Sequence, residues 1–191
     1  MLYTSFNPTY TTTFPEKDIA LILGPTDSLP DSLQTSARAI EIQKLQEKGG
    51  IYQLETSENI HILCLWKKEV IYEKIGEFAR GLEKSVTLVV GDSLDRDQVI
   101  EAFWLGKYRF ERFLSHPKNI QHTIYGSPLE ETSHKKVQAI YLARDLINLP
   151  PNEKYPARLA EIVHALTWSE RTKIRILDKS IMEKEGMGMI L

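Results

Sequence analysis

Five histidines, His61, His116, His122, His134 and His164, are the first residues to weigh for metal ligation or proton transfer in this 191-residue chain. Locally built zinc sites set His or Cys pairs at short spacing with a carboxylate close by. None of the five stands in a His-x-x-x-His pair or a glutamate-flanked pattern, so no metal site is expected from them alone. The single cysteine, Cys64, has no intramolecular partner. It reads as a small apolar side chain in a strand and fits a reducing compartment. Gly91-Asp92-Ser93 joins an apolar run to a helical pattern, the place where α/β proteins hold anions on backbone N–H groups. The plainer reading is a strand-to-helix turn capped by Asp92 or Ser93. Glu41, Glu47, Glu130 and Glu131 offer carboxylates among Lys and Gln neighbours, the pattern of a solvated helix face. Lys135, Lys136 and Arg144 form a short basic strip without interleaved aromatic residues and beside Glu130 and Glu131, as on an ordinary helix surface. No Gly-x-Ser-x-Gly elbow and no phosphate-binding glycine loop occurs, which removes covalent hydrolase and P-loop chemistry.

Composition narrows the classes further. The chain is 42% hydrophobic and 26% charged, near globular averages, and no apolar run approaches a membrane span. Its 24 basic and 26 acidic residues are mixed along the sequence, giving a net charge of -2 and no domain-wide field for a phosphate backbone. Nucleic acid is therefore a disfavoured partner and a membrane is not expected. Residues 1–15 lack the basic start and apolar run of a secretory signal, so a cytoplasmic location is expected.

The elements that must carry these residues alternate. Asp18–Gly24 is a short apolar run closed by Gly-Pro and predicts a buried strand. Ser32–Lys48 has helical spacing and stops at Gly49-Gly50. Ile51–Glu55 and Asn59–Trp66 predict a hairpin. A helix follows over Val70–Lys84, weakened at Gly76 and Gly81, then a strand over Ser85–Gly91 whose β-branched run implies cover on both faces. Asp95–Phe113 predicts a helix with a Val99, Ile100, Phe103, Trp104 core stripe, and Ile120–Tyr125 a strand. Leu129–Leu149 predicts a long helix, apolar on more than one face in its later half and ended by Pro150-Pro151. Helices over Pro156–Trp168 and Ser180–Glu185, the second entered by Asp178, flank a strand over Lys173–Leu177. The pattern is that of an α/β protein with a mixed sheet and helices on both faces. The apolar last residues, Met187–Leu191, suggest a cut within a longer protein.

Ala143-Arg-Asp-Leu-Ile-Asn-Leu-Pro-Pro-Asn152 closely resembles a segment of the leucyl aminopeptidase (cytosol aminopeptidase) family. Three further stretches resemble it too. They are Tyr155-Pro-Ala-Arg-Leu-Ala160, Ile176-Leu-Asp178 with Met182-Glu-Lys-Glu-Gly-Met187-Gly188, and Leu105-Gly-Lys-Tyr-Arg-Phe-Glu-Arg-Phe113. The likeness is specific from about residue 99 onward and loose before it; Glu185 and Phe113 depart from the common pattern. The resemblance implies a macro-like amino-terminal domain over residues 1–127, a linker helix over 128–150, and the start of a catalytic domain over 151–191. It implies a parent hydrolase that removes amino-terminal residues from peptides, holds two divalent metal ions (Zn or Mn), and assembles as a homo-oligomeric hexamer. The family's metal motifs, Gly-Lys-Gly-x-x-Phe-Asp-Ser-Gly-Gly and Asn-Thr-Asp-Ala-Glu-Gly-Arg, are absent from these residues. No catalytic, cofactor-binding or metal-binding residue is therefore assigned here, and the segment is expected to be structural and inactive alone. The alternative implied by the macro-like domain is a nucleotide or ADP-ribose binding module acting through the Gly91–Asp95 loop. A DNA-binding role, known for some members, is disfavoured by the charge balance.

Overall fold

The computed structural model describes residues 4, 6–24, 27, 52–55, 60–64, 71–118, 120–166 and 168–188. The strands are β1 (Thr9–Thr11), β2 (Ile19–Leu23), β3 (Tyr52–Glu55), β4 (Ile60–Cys64), β5 (Thr87–Val90) and β6 (Thr123–Tyr125). The helices among the described residues are α1 (Ile71–Gly81), α2 (Arg96–Lys107), α3 (Glu131–Asn148), α4 (Pro156–Ala165) and α5 (Lys179–Lys184). The chain divides into two compact units, Tyr3–Asp145 and Leu146–Leu191.

In the first unit the strands form one six-stranded sheet in the order β1-β6-β5-β2-β4-β3. All neighbours are parallel except β3 with β4, where Tyr52 faces Cys64 and Glu55 faces His61 in an antiparallel pair. The expected mixed sheet and the hairpin are thus present, and Cys64 lies in a strand. Every residue of β2 is buried, because it sits between β5 and β4 in the middle of the sheet. Alternation along the strands sends Ala20, Ile22, Leu63, Leu88 and Ile124 into one apolar cluster. Against that face pack Ile75 and Phe78 of α1, Val99, Ile100 and Phe103 of α2, and Val137 and Tyr141 of α3. Ile19, Leu21, Leu23, Ile62 and Val89, which alternate with them, are buried as well. The helix expected at 32–48 lies outside the described residues.

Helices α1 and α2 approach at a pair of glycines. A Cβ on Gly106 would stand 2.4 Å from the Gly76 carbonyl oxygen, closer than any real contact. A Cβ on Gly76 would meet nothing nearer than 3.7 Å. Gly76, a weakness in the helical pattern, is therefore part of a backbone-to-backbone crossing that a side chain on α2 would push apart.

Several boundaries differ from expectation. α2 stops at Lys107 instead of continuing to Phe113, because Tyr108 leaves the helix with φ -52 and ψ 129. Its amino-terminal cap is Asp95, whose side chain accepts from the Gln98 N–H at 3.0 Å, instead of Asp92 or Ser93. β1 has no counterpart among the expected strands. It is a three-residue edge strand of Thr and Tyr, held to β6 partly by a Thr9–Thr123 hydroxyl pair at 2.8 Å. The expected strand at 173–177 forms no ladder, since no described strand runs beside it. α3 is less enclosed than its composition implies: Val137 and Tyr141 are buried, but Ile147 is 73% exposed.

In the second unit Pro150-Pro151 ends α3 and a single 3₁₀ turn, Pro151–Glu153, follows. Pro156 then opens α4 in the first helical position, where its missing N–H costs nothing. Asp178 caps α5 as expected, accepting from the Ile181 N–H at 2.9 Å. Ile162 and Leu149 are buried, whereas Tyr155, Trp168 and Ile176 stay about half exposed.

Candidate functional site

Two of the resembling segments, at Leu105–Phe113 and at Arg144–Asp145, meet in the first unit around Asp145, a carboxylate only 3% exposed. Its oxygens accept from the Thr4 backbone N–H, from the Thr4 hydroxyl at 2.9 Å, and from the Tyr108 hydroxyl at 2.7 Å. Asp145 and Tyr108, far apart in sequence, are thereby joined to the amino-terminal segment. Arg144 does not pair with Asp145. Its guanidinium donates to the Leu105 carbonyl at 2.6 Å and lies 5.3 Å from the Tyr108 ring centroid, so it satisfies the end of α2 and stacks on the residue that terminates it. Tyr141, one turn earlier on α3, donates to the Trp104 carbonyl at 2.6 Å, and burial pushes its hydroxyl well above its ordinary pKa. Phe6 completes the cluster edge-on to Trp104 and Tyr141 at 5.7 and 6.1 Å. These bonds use Arg144, Asp145 and Tyr141 to tie α2, α3 and the amino-terminal segment together.

The Gly91–Ser93 turn holds an anion of the protein's own. Asp27 accepts from the Gly24 N–H and the Ser93 N–H, both at 2.7 Å. A Cβ on Gly91 would sit 1.9 Å from an Asp27 oxygen, which is why glycine stands there. An external phosphate at this turn would have to displace that carboxylate, an arrangement that weighs against the loop as a nucleotide cradle.

The five histidines do not converge, and among the described residues no three His, Cys, Asp or Glu side chains are grouped to hold a metal ion. Two metal ions of a hydrolytic centre sit ~3.5 to 4 Å apart and need several converging carboxylates. The residues described here do not fit such a centre. The carboxylates Glu130 and Glu131 are exposed, as expected of a solvated face, and Glu131 pairs with Lys135 at 2.5 Å. Lys136 is tied instead to buried Glu101, at 2.5 Å, beside a Tyr72 hydroxyl bond to the same carboxylate at 2.8 Å. Burial alone would raise the Glu101 pKa, but hydrogen bonds from Lys136, Tyr72 and Ser133 outweigh it and hold the carboxyl below its usual value. The basic strip is thus spent on internal partners, Glu131, Glu101 and the Leu105 carbonyl.

Sequence patterning missed a polar cavity of about 330 Å³ at the carboxyl end of α2, lined by Thr4, Asn7, Lys107, Arg109, Lys118 and His122 among others. Lys107 donates to the Leu82 carbonyl at 2.7 Å. Burial first, then the charges of Arg109 and Lys118, push its ammonium down to about 8. His122 accepts the Val86 N–H on Nδ1 at 3.2 Å, which leaves the neutral ring's proton on Nε2. That Nε2 is buried without a hydrogen-bond partner. Burial, then the charge of Lys107, lowers the imidazole to about 4. Only long-range packing brings these residues together, so no spacing rule reveals them.

A mixed, mainly parallel sheet with α1, α2 and α3 on one face defines an α/β domain. No family model matches the chain. It is similar to the probable cytosol aminopeptidase of Rhodococcus jostii (strain RHA1), 31% identical over 140 residues, covering 64% of this chain and 28% of that protein. It is also similar to the probable cytosol aminopeptidase of Mycobacterium marinum (strain ATCC BAA-535 / M), again 31% identical over 140 residues, covering 64% of this chain and 27% of the relative. Among solved structures, the cytosol aminopeptidase from Coxiella burnetii aligns with a TM-score of 0.50 and 24% identity, over 81% of this chain and 36% of that one. The bottromycin maturation enzyme BotP aligns with a TM-score of 0.51 and 16% identity, over 78% and 36%, and both structural likenesses concern the fold. The sequence matches support the cytosol (leucyl) aminopeptidase family for this chain, over an amino-terminal portion of it. It spans under a third of the length of the curated relatives it matches.

Proposed function

We propose that this chain is the scaffold portion of a peptidase that releases amino-terminal residues from peptides, using two divalent ions, zinc or manganese, held by residues other than those described here. The portion itself acts in structure and assembly and does not hydrolyse peptides alone. The observation that supports this most is the Asp145 network: Asp145 and Arg144 of the segment that resembles the family are consumed by bonds to Thr4, Tyr108 and the Leu105 carbonyl. The likeness to cytosol aminopeptidases supports the peptidase class and a cytoplasmic setting, and no helix among the described residues is long and apolar enough to cross a membrane. In this reading the exposed Ile176, Trp168 and Tyr155 of the second unit are covered by the remainder of a catalytic domain. A hexameric parent follows from the same resemblance.

The test is the hydrolysis of leucine p-nitroanilide by purified residues 1–191 in the presence of Mn²⁺ or Zn²⁺. The expected result is no release above the metal-only blank. Metal-dependent turnover that a chelator abolishes would overturn the division of labour proposed here.

A further inference from the structure

We propose that the cavity at the carboxyl end of α2 binds a phosphate-type dianion, either free phosphate or the phosphoryl group of a small ester, between Lys107, Arg109, Lys118 and His122. The inference does not depend on the peptidase reading. Three cations and one carboxylate, Glu111, line the cavity, which leaves two positive charges, the complement of a phosphate dianion. Among the described residues no carboxylate forms a salt bridge with Lys107, Arg109 or Lys118. Their mutual repulsion shows in Lys107, which both neighbours disfavour as a cation. An anion in the cavity removes that repulsion, so binding and the charged state of Lys107 reinforce each other.

The second observation is independent of charge. His122 is 7% exposed, lines the cavity, and keeps a buried Nε2 with no partner. A buried donor without an acceptor is costly and uncommon in folded proteins. An oxyanion oxygen is the acceptor that such an N–H lacks, while the Asn7 and Gln121 side chains on the same wall supply neutral donors. Charge-assisted bonds from Arg and Lys to phosphate are among the stronger hydrogen bonds available. The volume of about 330 Å³ leaves room for more than the anion, which is why an ester is included.

Titration calorimetry of inorganic phosphate, and separately of glycerol 3-phosphate, into residues 1–191 tests the proposal. The wild-type chain is expected to bind with one site, and Arg109→Gln and Lys118→Gln each to weaken binding by about fivefold, the upper range for one exposed ion pair. Both side chains are exposed, so the variants are expected to keep the wild-type melting temperature. Phosphate is also expected to shift the His122 Nε2–H proton resonance in the wild-type chain. Tighter binding of glycerol 3-phosphate assigns the site to an ester, and equal binding assigns it to the phosphoryl group alone. No heat at millimolar phosphate, heat unchanged in both variants, or an unmoved His122 resonance at saturation each overturns it.

Discussion

The Tyr3–Asp145 unit encloses a broad apolar core, whereas the Leu146–Leu191 unit leaves most of its large apolar side chains at least partly in solvent. In the first, strands, helices and the amino-terminal segment share one cluster that runs from Phe6 to Tyr141. In the second, the buried hydrophobic residues among those described are Leu149 and Ile162, while Ile176, Trp168 and Tyr155 line or flank exposed surface. An apolar groove between α4 and residues 176–178 is lined by Pro156, Ala160, His164 and Leu177. The motif likeness runs through both units, so a family pattern by itself does not say which part of a chain can stand alone. What distinguishes them is how far their apolar groups find partners within the same unit.

The largest effect that sharpens this contrast is expected at the α1–α2 crossing. Gly106→Ala puts a methyl group into the Gly76 backbone and is expected to cost about 3 kcal/mol or to prevent folding. Gly76→Ala has ordinary clearance and gains helix propensity, so it is expected to be neutral or to stabilise by up to about 1 kcal/mol. Urea melts of the two variants check the asymmetry; equal losses would contradict the crossing geometry.

Acid is expected to act on the same unit through His122. Its pKa in the fold, about 4, lies below the ordinary 6.5 because the neutral ring is favoured by burial. Stability from this group is therefore complete above the unfolded value and is lost as pH falls toward the folded one. Between pH 6.5 and about 5 the expected loss is about 1.5 kcal/mol. His122→Asn is expected to flatten that slope in urea melts followed across the same window. A variant as acid-sensitive as the wild type would remove His122 as its source.

Smaller still is the Glu101–Lys136 pair. Lys136→Met leaves Glu101 buried with Tyr72 and Ser133 as remaining donors, and about 1 kcal/mol is expected to be lost, since the Lys136 side chain is half exposed and screened. In the second unit, Ile147→Ser at a 73% exposed position is expected to change stability by less than about 0.5 kcal/mol. A loss of several kcal/mol there would show that Ile147 is packed, contrary to the contrast drawn between the units.

Local pattern carried most of the sheet and the helices. The apolar run at Ile19–Leu23, the β-branched run at Thr87–Val90 and the Val99–Trp104 stripe lie where alternation and helical spacing put them. Failures came where partners are distant in sequence. β1 is a strand only because β6 lies beside it, and residues 173–177 are not one because nothing described does. α2 ends early because Tyr108 turns toward Asp145, 37 residues away. The plug at the Gly91 turn comes from Asp27, 66 residues before Ser93. The cavity joins Thr4 to His122, and no spacing within one element announces it. Family likeness located the Ala143–Asn152 segment, and the fold turns Arg144 and Asp145 inward while Asn148 and Asn152 stay exposed.

That inward turning is tested most directly by Asp145→Asn in residues 1–191, followed by equilibrium urea unfolding at neutral pH. The substitution keeps size but sets an amide N–H₂ against donors on Thr4 and Tyr108. A loss of about 2 kcal/mol is predicted for a buried acceptor so disrupted. Stability within about 0.5 kcal/mol of the wild type would mean that Asp145 does not hold the unit together, and the scaffold reading of the motif would fail with it.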